Sequence, residues 1–184
     1  MTVRMDDTDE GRSVGTADVV PVGGQAFRDC IARVPSGVNV VTTDGAIGLG
    51  GFTATAVASV SDNPPTVLVC LNRGSHQMRA FRENGVFAVN LLPAGGRAIA
   101  EAFAGRTGLT VPERYAIGRW SRLATGAPIL EGAVMSLDCR LTEAKDVGTH
   151  TVLFGVVVGA VRGETRTDGA PEILIYHDRH YSEV

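Results

Sequence analysis

The sequence predicts a mainly β protein, an antiparallel barrel carrying a few short helices. Three observations point there. About seven segments have the β-branched content or the period-two alternation of strands. Only three segments show helical spacing, and each is short. Strands and helices do not alternate as βαβ units do, which argues against a doubly wound parallel sheet. The chain has 184 residues, enough for one domain with a real core.

Met1 to Gly24 is acidic and lacks periodicity. It reads as a mobile tail, residues 1–24, ahead of a single domain, residues 25–184. From Gln25 to Val34 the residues Phe27, Cys30, Ile31 and Val34 recur at i, i+3, i+4 and i+7, one face of an amphipathic helix. Pro35-Ser36-Gly37 ends it. Val38 to Thr43 is a strand, and Asp44-Gly45 a hairpin turn.

The stretch Gly48 to Ser61 follows as one extended segment. Hydroxyls at Thr53, Thr55, Ser59 and Ser61 alternate with Ala54, Ala56, Ala58 and Val60. That spacing gives one polar and one apolar face. Glycines 48, 50 and 51 allow close backbone approach. Asn63-Pro64-Pro65 stops the pairing, because proline has no N–H to donate. Such a wall suits a flat, heteroatom-rich ligand; the plainer alternative is an edge strand with one wet face. Gly48-x-Gly50-Gly51 is not followed by a helix, so it lacks the context of a dinucleotide fingerprint.

Thr66 to Leu71 is a continuous apolar run, read as a strand buried on both faces. Ser75 is the expected N-cap of a helix from His76 to Asn84. Arg73 and His76 stand beside that helix start, where free N–H groups and the positive dipole end suit a phosphate. The plainer alternative is a capped surface helix with solvated charges. Val86 to Leu91 is a strand. Arg97 to Ala104 is an alanine-rich helix closed by Gly105 at C′. Arg106 to Leu130 is expected to be irregular, a functional cover or a dimer contact. Met135, Leu137, Cys139 and Leu141 alternate with Ser136, Asp138, Arg140 and Thr142, a strand with one buried and one wet face. Thr149 to Val161 is a long strand with bulges or bends at Gly155 and Gly159. Thr167-Asp168-Gly169 turns the chain, and Ile173 to Tyr176 is the last strand.

Composition narrows the function. The net charge of −3 gives no footprint for nucleic acid or an anionic membrane surface. No apolar run approaches the roughly 20 residues of a spanning helix. Cys30, Cys70 and Cys139 sit in apolar runs, an odd number expected as buried free thiols in the cytoplasm. His177, Asp178 and His180 raise a metal site, but too few ligands accompany them.

Taken in order, the motifs identify a family. Pro35-Ser36-Gly37-Val38 opens the domain, and Gly51-Phe52-Thr53-Ala54-Thr55-Ala56-Val57-Ala58-Ser59-Val60-Ser61 follows. Pro64-Pro65-Thr66-Val67-Leu68-Val69-Cys70-Leu71 and Phe87-Ala88-Val89-Asn90-Leu91-Leu92 come next. Phe103-Ala104-Gly105, Gly148-Thr149-His150-Thr151 and Tyr176-x-x-Arg179-x-Tyr181 complete the series. It resembles the short-chain flavin reductase family, the reductase components of two-component flavin-dependent monooxygenases, over Ala26 to Tyr181. Two positions depart from that family's pattern: Thr55 stands where many relatives have asparagine, and Thr149 where many have aspartate.

The resemblance implies an FMN-binding split β-barrel, a homodimer, and reduction of FMN (or FAD) by NADH (or NADPH). It implies delivery of reduced flavin to a partner monooxygenase. Carried over by motif, Thr53, Ala54, Thr55, Ala56, Val57, Ser59 and Val60 would line the isoalloxazine and ribityl chain. Cys70, Leu71 and Asn72 would lie behind the flavin, and Arg73, Ser75 and His76 near its phosphate. Phe103, Ala104 and Gly105 would edge the site, and Tyr176, Arg179 and Tyr181 would close it. His150 would contact the nicotinamide without acting as an obligatory base. Backbone N–H groups near Thr53 to Thr55 would face negative charge on the flavin. Other functions on the same barrel are a flavin- or heme-binding module without turnover, and a reductase that keeps FMN and acts directly on a small substrate. A pyridoxine-phosphate oxidase-like enzyme would want more basic residues around a second phosphate than one lysine supplies.

Overall fold

The stretch expected to run unbroken from Gly48 to Ser61 breaks at Thr55-Ala56, and that break organises the architecture. The computed structural model describes residues 20–163 and 172–184. Within them the order is α1 (Gly24–Ile31), β1 (Ser36–Gly37), β2 (Asn39–Thr43), β3 (Gly50–Ala54), β4 (Val57–Asp62) and β5 (Pro65–Asn72). Then come α2 (Met78–Asn84), β6 (Val86–Leu91), α3 (Arg97–Phe103), α4 (Val111–Tyr115), β7 (Trp120–Arg122) and β8 (Pro128–Leu130). β9 (Met135–Val147), β10 (His150–Arg162), β11 (Leu174–His177) and β12 (His180–Glu183) complete the chain.

The main sheet has seven antiparallel strands in the order β3-β2-β6-β9-β10-β5-β4. Its two outermost strands, β3 and β4, are neighbours in sequence with only Thr55 and Ala56 between them. The sheet therefore curls back on itself, yet no ladder joins β3 to β4 among the described residues. The result is the mainly β, antiparallel architecture expected, with a seam left open between the two edges. Two small sheets flank it, β1-β11-β12 and β7-β8.

Val41, Phe52, Val69, Leu71, Phe87 and Leu153 fill the space inside the curled sheet. A second cluster of Val38, Leu92, Phe103, Tyr115, Leu130 and Leu174 packs α3 and α4 against its outer face. Fully buried Asn90 fastens four strands together. Its Nδ2 donates to Val40 O at 3.1 Å, and its Oδ1 accepts from Leu130 N at 2.9 Å and Ser136 Oγ at 2.8 Å.

Several expectations are corrected. The segment from Arg106 to Leu130 is not irregular, because it holds α4, β7 and β8. Thr110 and Glu113 form a capping box that starts α4, with Thr110 N donating to Glu113 Oε2 at 2.8 Å. The face of β9 expected to be wet is partly dry. Ser136 and Asp138 are buried, because β7, β8 and the turn between them cover this side of the sheet. Thr125 N there donates to Asp138 Oδ2 at 2.8 Å, so the carboxylate is paired. β5 is not buried on both faces: Val67, Val69 and Leu71 point into the core while Leu68 and Cys70 are half-buried.

Helix α1 forms, but its apolar face is uncovered, with Phe27 55% and Ile31 53% exposed. Cys30 is exposed there too, so not all three thiols are buried. Helix α2 starts at Met78 and not at His76, and Ser75 Oγ accepts from Gln77 N at 3.2 Å in a turn ahead of it. Strand β12 was not foreseen. Asp178 and Arg179 supply the two left-handed residues of its hairpin, with φ of 48° and 66°, where a glycine would be the usual signal. The expected turn at Thr167-Asp168-Gly169 and most of the expected tail lie outside the described residues.

The ladder of β9 with β10 shifts register at Phe154/Gly155 and Val157/Gly159, the two glycines expected to mark bends. A Cβ at Gly155 would strike the Phe87 ring and approach Cys139 Cβ to 2.9 Å. Gly155→Ala is therefore expected to lower unfolding free energy by about 1–3 kcal/mol in urea denaturation, the usual cost of overpacking. Phe87→Leu should recover part of it in the double variant. A Gly155→Ala protein as stable as the parent would contradict this packing.

Candidate functional site

A cleft of about 480 Å³ opens at the seam. Its floor is the end of β3 (Phe52, Thr53 and Ala54) and the link Thr55-Ala56. One wall is the end of β5 with the turn after it, from Cys70 through Asn72 to Ser75, His76 and Gln77, joined by His150. The other wall is Phe103, Ala104 and Gly105 at the end of α3, with Arg114 from α4.

The floor is fixed from behind. Thr53 Oγ1 donates to Ala100 O at 2.6 Å, so this hydroxyl serves α3 and retains only acceptor capacity toward the cleft. Gly51 lies under the Phe103 ring, which a Cβ there would meet at 2.6 Å. That glycine makes room for a side chain, where close approach to a ligand was the expectation. The link is the reverse case. Among the described residues the N–H groups of Thr55 and Ala56 meet no acceptor, and both residues are exposed. The carbonyls are used, since Thr55 O accepts from Val57 N at 3.0 Å and Ala56 O from Cys70 N at 3.1 Å.

In the first wall Asn72 Oδ1 accepts from Gly74 N at 2.8 Å and Asn72 O from Ser75 N at 3.0 Å, which shapes the turn. Arg73 is directed elsewhere. Its Nη1 donates to Gly148 O at 3.2 Å and its Nε lies 3.6 Å from Asp146. Arg82 holds the same carboxylate at 2.5 Å. The Thr151 hydroxyl foremost, with Arg82 and Arg73, holds the Asp146 carboxyl below its ordinary value against the opposing effect of burial. His150 opens β10 directly opposite Asn72 in the ladder, with its Nδ1 2.9 Å from Thr149 Oγ1. Thr149 thus supplies a hydroxyl to the ring where many relatives were expected to carry a carboxylate. Burial pushes the Cys70 thiol up, away from thiolate chemistry.

The second wall depends on how α3 ends. Gly105, at φ 74°, donates its N–H to Ala102 O at 3.1 Å, and Arg106 N donates to Glu101 O at 3.2 Å. That is a Schellman closure, which turns the chain away and leaves the helix end facing the cleft.

The structure gathers Thr53, Ala54, Thr55, Ala56, Cys70, Leu71, Asn72, Ser75, His76, Phe103, Ala104, Gly105 and His150 around this one cleft. It does not bring the other expected residues to it. Val57 and Ser59 line a neighbouring cavity of about 470 Å³ that shares Thr55. Val60 is 49% exposed. Tyr176 and Tyr181 pair edge to face with centroids 5.1 Å apart and pack on the cluster beneath α3. Arg179 bonds to Asp29 of α1. Gln77 and Arg114 line the cleft without having been foreseen. The sequence places Gln77 inside a helix and Arg114 in an irregular segment; the Thr110-x-x-Glu113 capping box is the signal that marks α4. Among the described residues no group of three or more His, Cys, Asp or Glu side chains is placed to hold a metal.

Comparison with known proteins agrees with the motif series. A family model described as the flavin reductase like domain matches residues 31–184. A protein named FMN reductase (NADH) RutF from Ancylobacter novellus is 48% identical over 170 residues, covering 92% of this chain and 90% of the relative. Its namesake from Variovorax paradoxus is 49% identical over 158 residues, covering 86% and 84%. Among solved structures, BorF, the flavin reductase component of a bacterial two-component tryptophan halogenase, superposes with a TM-score of 0.78. It is 30% identical and covers 88% of this chain and 98% of its own. The NADH:FAD oxidoreductase SgcE6 of Streptomyces globisporus, solved with NAD and FAD fragments, gives a TM-score of 0.76 at 28% identity, covering 90% and 96%.

The site's ion pairs make a pH prediction. A carboxyl lowered by folding stabilises the fold above its unfolded value, near 3.8, and that contribution disappears as pH falls through the lowered folded value. Melting temperatures of the parent and Asp146→Asn should differ at about pH 6 and converge toward about pH 2–3. A gap that does not change with pH would show that the charge of Asp146 is not what matters.

Proposed function

The chain belongs to the flavin reductase-like domain family, and from that premise we propose that it oxidises NADH or NADPH and reduces FMN or FAD in the cleft at the seam. The observation that carries this is the convergence of four distant motif segments on one cleft. Thr53–Ala56, Cys70–His76, Phe103–Gly105 and His150 meet there, apart from Arg73 and Gly74.

The residues present fit a flavin. The cleft's volume falls in the range of nucleotide and cofactor pockets, about 300–1,000 Å³. Among the described residues its floor offers two unpaired N–H donors, and no Asp or Glu lines it. When bound, flavin supplies the hydride-accepting chemistry, and the protein's part is placement and electrostatics. The Thr55 and Ala56 N–H groups would face negative charge gathering on the carbonyl edge of the ring, as oxyanion donors do. Leu71 and Phe103 keep water from the inner side. His150 stands at the mouth, where its ring would orient the nicotinamide, and nothing requires it to move a proton. The absence of a nucleophile–base pair in these walls is consistent with such a division of labour.

We further propose that reduced flavin passes to a partner oxygenase, with the two-component halogenase reductase among the structural neighbours as support. A homodimer is supported by the uncovered apolar face of α1. The unit that acts is residues 25–184. A cytoplasmic setting is supported by the three free cysteines. No helix of the described residues is long and apolar enough to cross a membrane.

NADH consumption by the purified protein is expected to depend on added FMN or FAD. Flavin binding without NADH oxidation would favour a module without turnover. His150→Ala should raise the KM for NADH by about tenfold while the Kd for FMN stays unchanged. Loss of FMN binding with an unchanged KM would contradict the role given to His150.

A further inference from the structure

Nothing in the hydride-transfer scheme uses Arg114, yet its surroundings are those of an anion receptor. It projects from α4 into the cleft wall and is half-buried. Its Nε donates to Leu109 O at 2.9 Å, which fixes one edge of the guanidinium. The next residue, Tyr115, donates its hydroxyl to Gly50 O at 2.8 Å and packs its ring on Phe103 at 5.2 Å, so the short helix is anchored to both β3 and α3. Among the described residues Arg114 has no carboxylate within 4.0 Å. Three other arginines around the cleft differ: Arg73 and Arg82 share Asp146, and Arg97 pairs with Glu101 at 2.8 Å. Among the described residues no Asp or Glu lines the cleft, so Arg114 meets no carboxylate there. A guanidinium with a free donor edge binds a phosphate bidentately.

We propose that Arg114 is the anion anchor of this cleft and binds a phosphate group of the nucleotide seated there. The inference rests on the flavin-reductase function proposed above. Both nucleotides of that reaction carry phosphates and neither carries a carboxylate, so phosphate is the anion to be held. Arg114 takes the role first expected of Arg73, which Asp146 occupies. Ser75, His76 and Gln77 on the opposite wall add polar donors across the same opening.

The test uses Arg114→Gln, Arg114→Lys and the parent. Kd values are measured for FMN and for riboflavin, which lacks the phosphate, and KM for NADH with each acceptor. Arg114→Gln is expected to weaken FMN binding, NADH use or both by about tenfold or more, while riboflavin binding stays within about twofold. Arg114→Lys should fall between, and the parent's advantage should shrink as salt is raised. A loss confined to FMN assigns the flavin phosphate, and a loss confined to NADH assigns the dinucleotide's phosphates. Inorganic pyrophosphate should compete with the same nucleotide in the parent, a readout that needs no variant to fold. The proposal is overturned if FMN and NADH parameters stay within about twofold, or if riboflavin is weakened as much as FMN. A parent that neither binds flavin nor oxidises NADH would instead remove the flavin-reductase function and the anchor with it. A parent that does both and is matched by Arg114→Gln removes the anchor alone.

Discussion

A two-residue link constrains this whole molecule. In a flat sheet, six strand spacings of about 4.8 Å would set β3 and β4 about 29 Å apart. Thr55 and Ala56 allow their facing ends at most about 11 Å. The sheet must therefore curl until its two edges nearly meet. Among the described residues they do not pair: β3 forms its ladder with β2 and β4 with β5. One main-chain bond, from Cys70 N to Ala56 O, ties the link to β5. The seam that remains is the cleft, and the link's unpaired N–H groups are its floor. Fold closure and site formation are one event.

The open edge strand would be a liability if left bare. β3 is held instead by three elements. α3 takes the Thr53 hydroxyl through Ala100 O, the turn before α2 offers Gln77 Oε1 to Gly51 N at 3.0 Å, and α4 brings the Tyr115 hydroxyl to Gly50 O. These same elements are the walls of the cleft. Substitutions in them reach the site through the position of β3 as well as through direct contact. Phe103 shows this plainly: it packs over Gly51, meets Tyr115 and Trp120, and edges the cleft at once.

Much of this was legible in the sequence, for reasons that differ by element. β6 and the bends at Gly155 and Gly159 followed from strand periodicity and glycine placement. The gathering of Thr53–Ala56, Ser75, Phe103–Gly105 and His150 followed from the order of motifs, because local pattern alone does not bring residues 53 and 150 together. Two of the misses share a cause, which is tertiary cover. Ser136 and Asp138 read as wet because nothing local reveals that β7 and β8 fold over them. Cys30 on α1 reads as buried because periodicity marks an apolar face without naming what covers it. The link at Thr55-Ala56 was hidden by hydroxyl spacing that continues through the break. Arg114 was missed because a five-residue helix has too few turns for a periodic signal, although its capping box was present.

The most direct test of the seam as the flavin site is a crystal structure of the protein with FMN. The flavin ring is expected against Thr53–Ala56, between Asn72 and Phe103, with the Thr55 and Ala56 N–H groups toward its carbonyl edge and His150 at the open face. A ring bound away from the seam, with those two N–H groups still solvated, would contradict it.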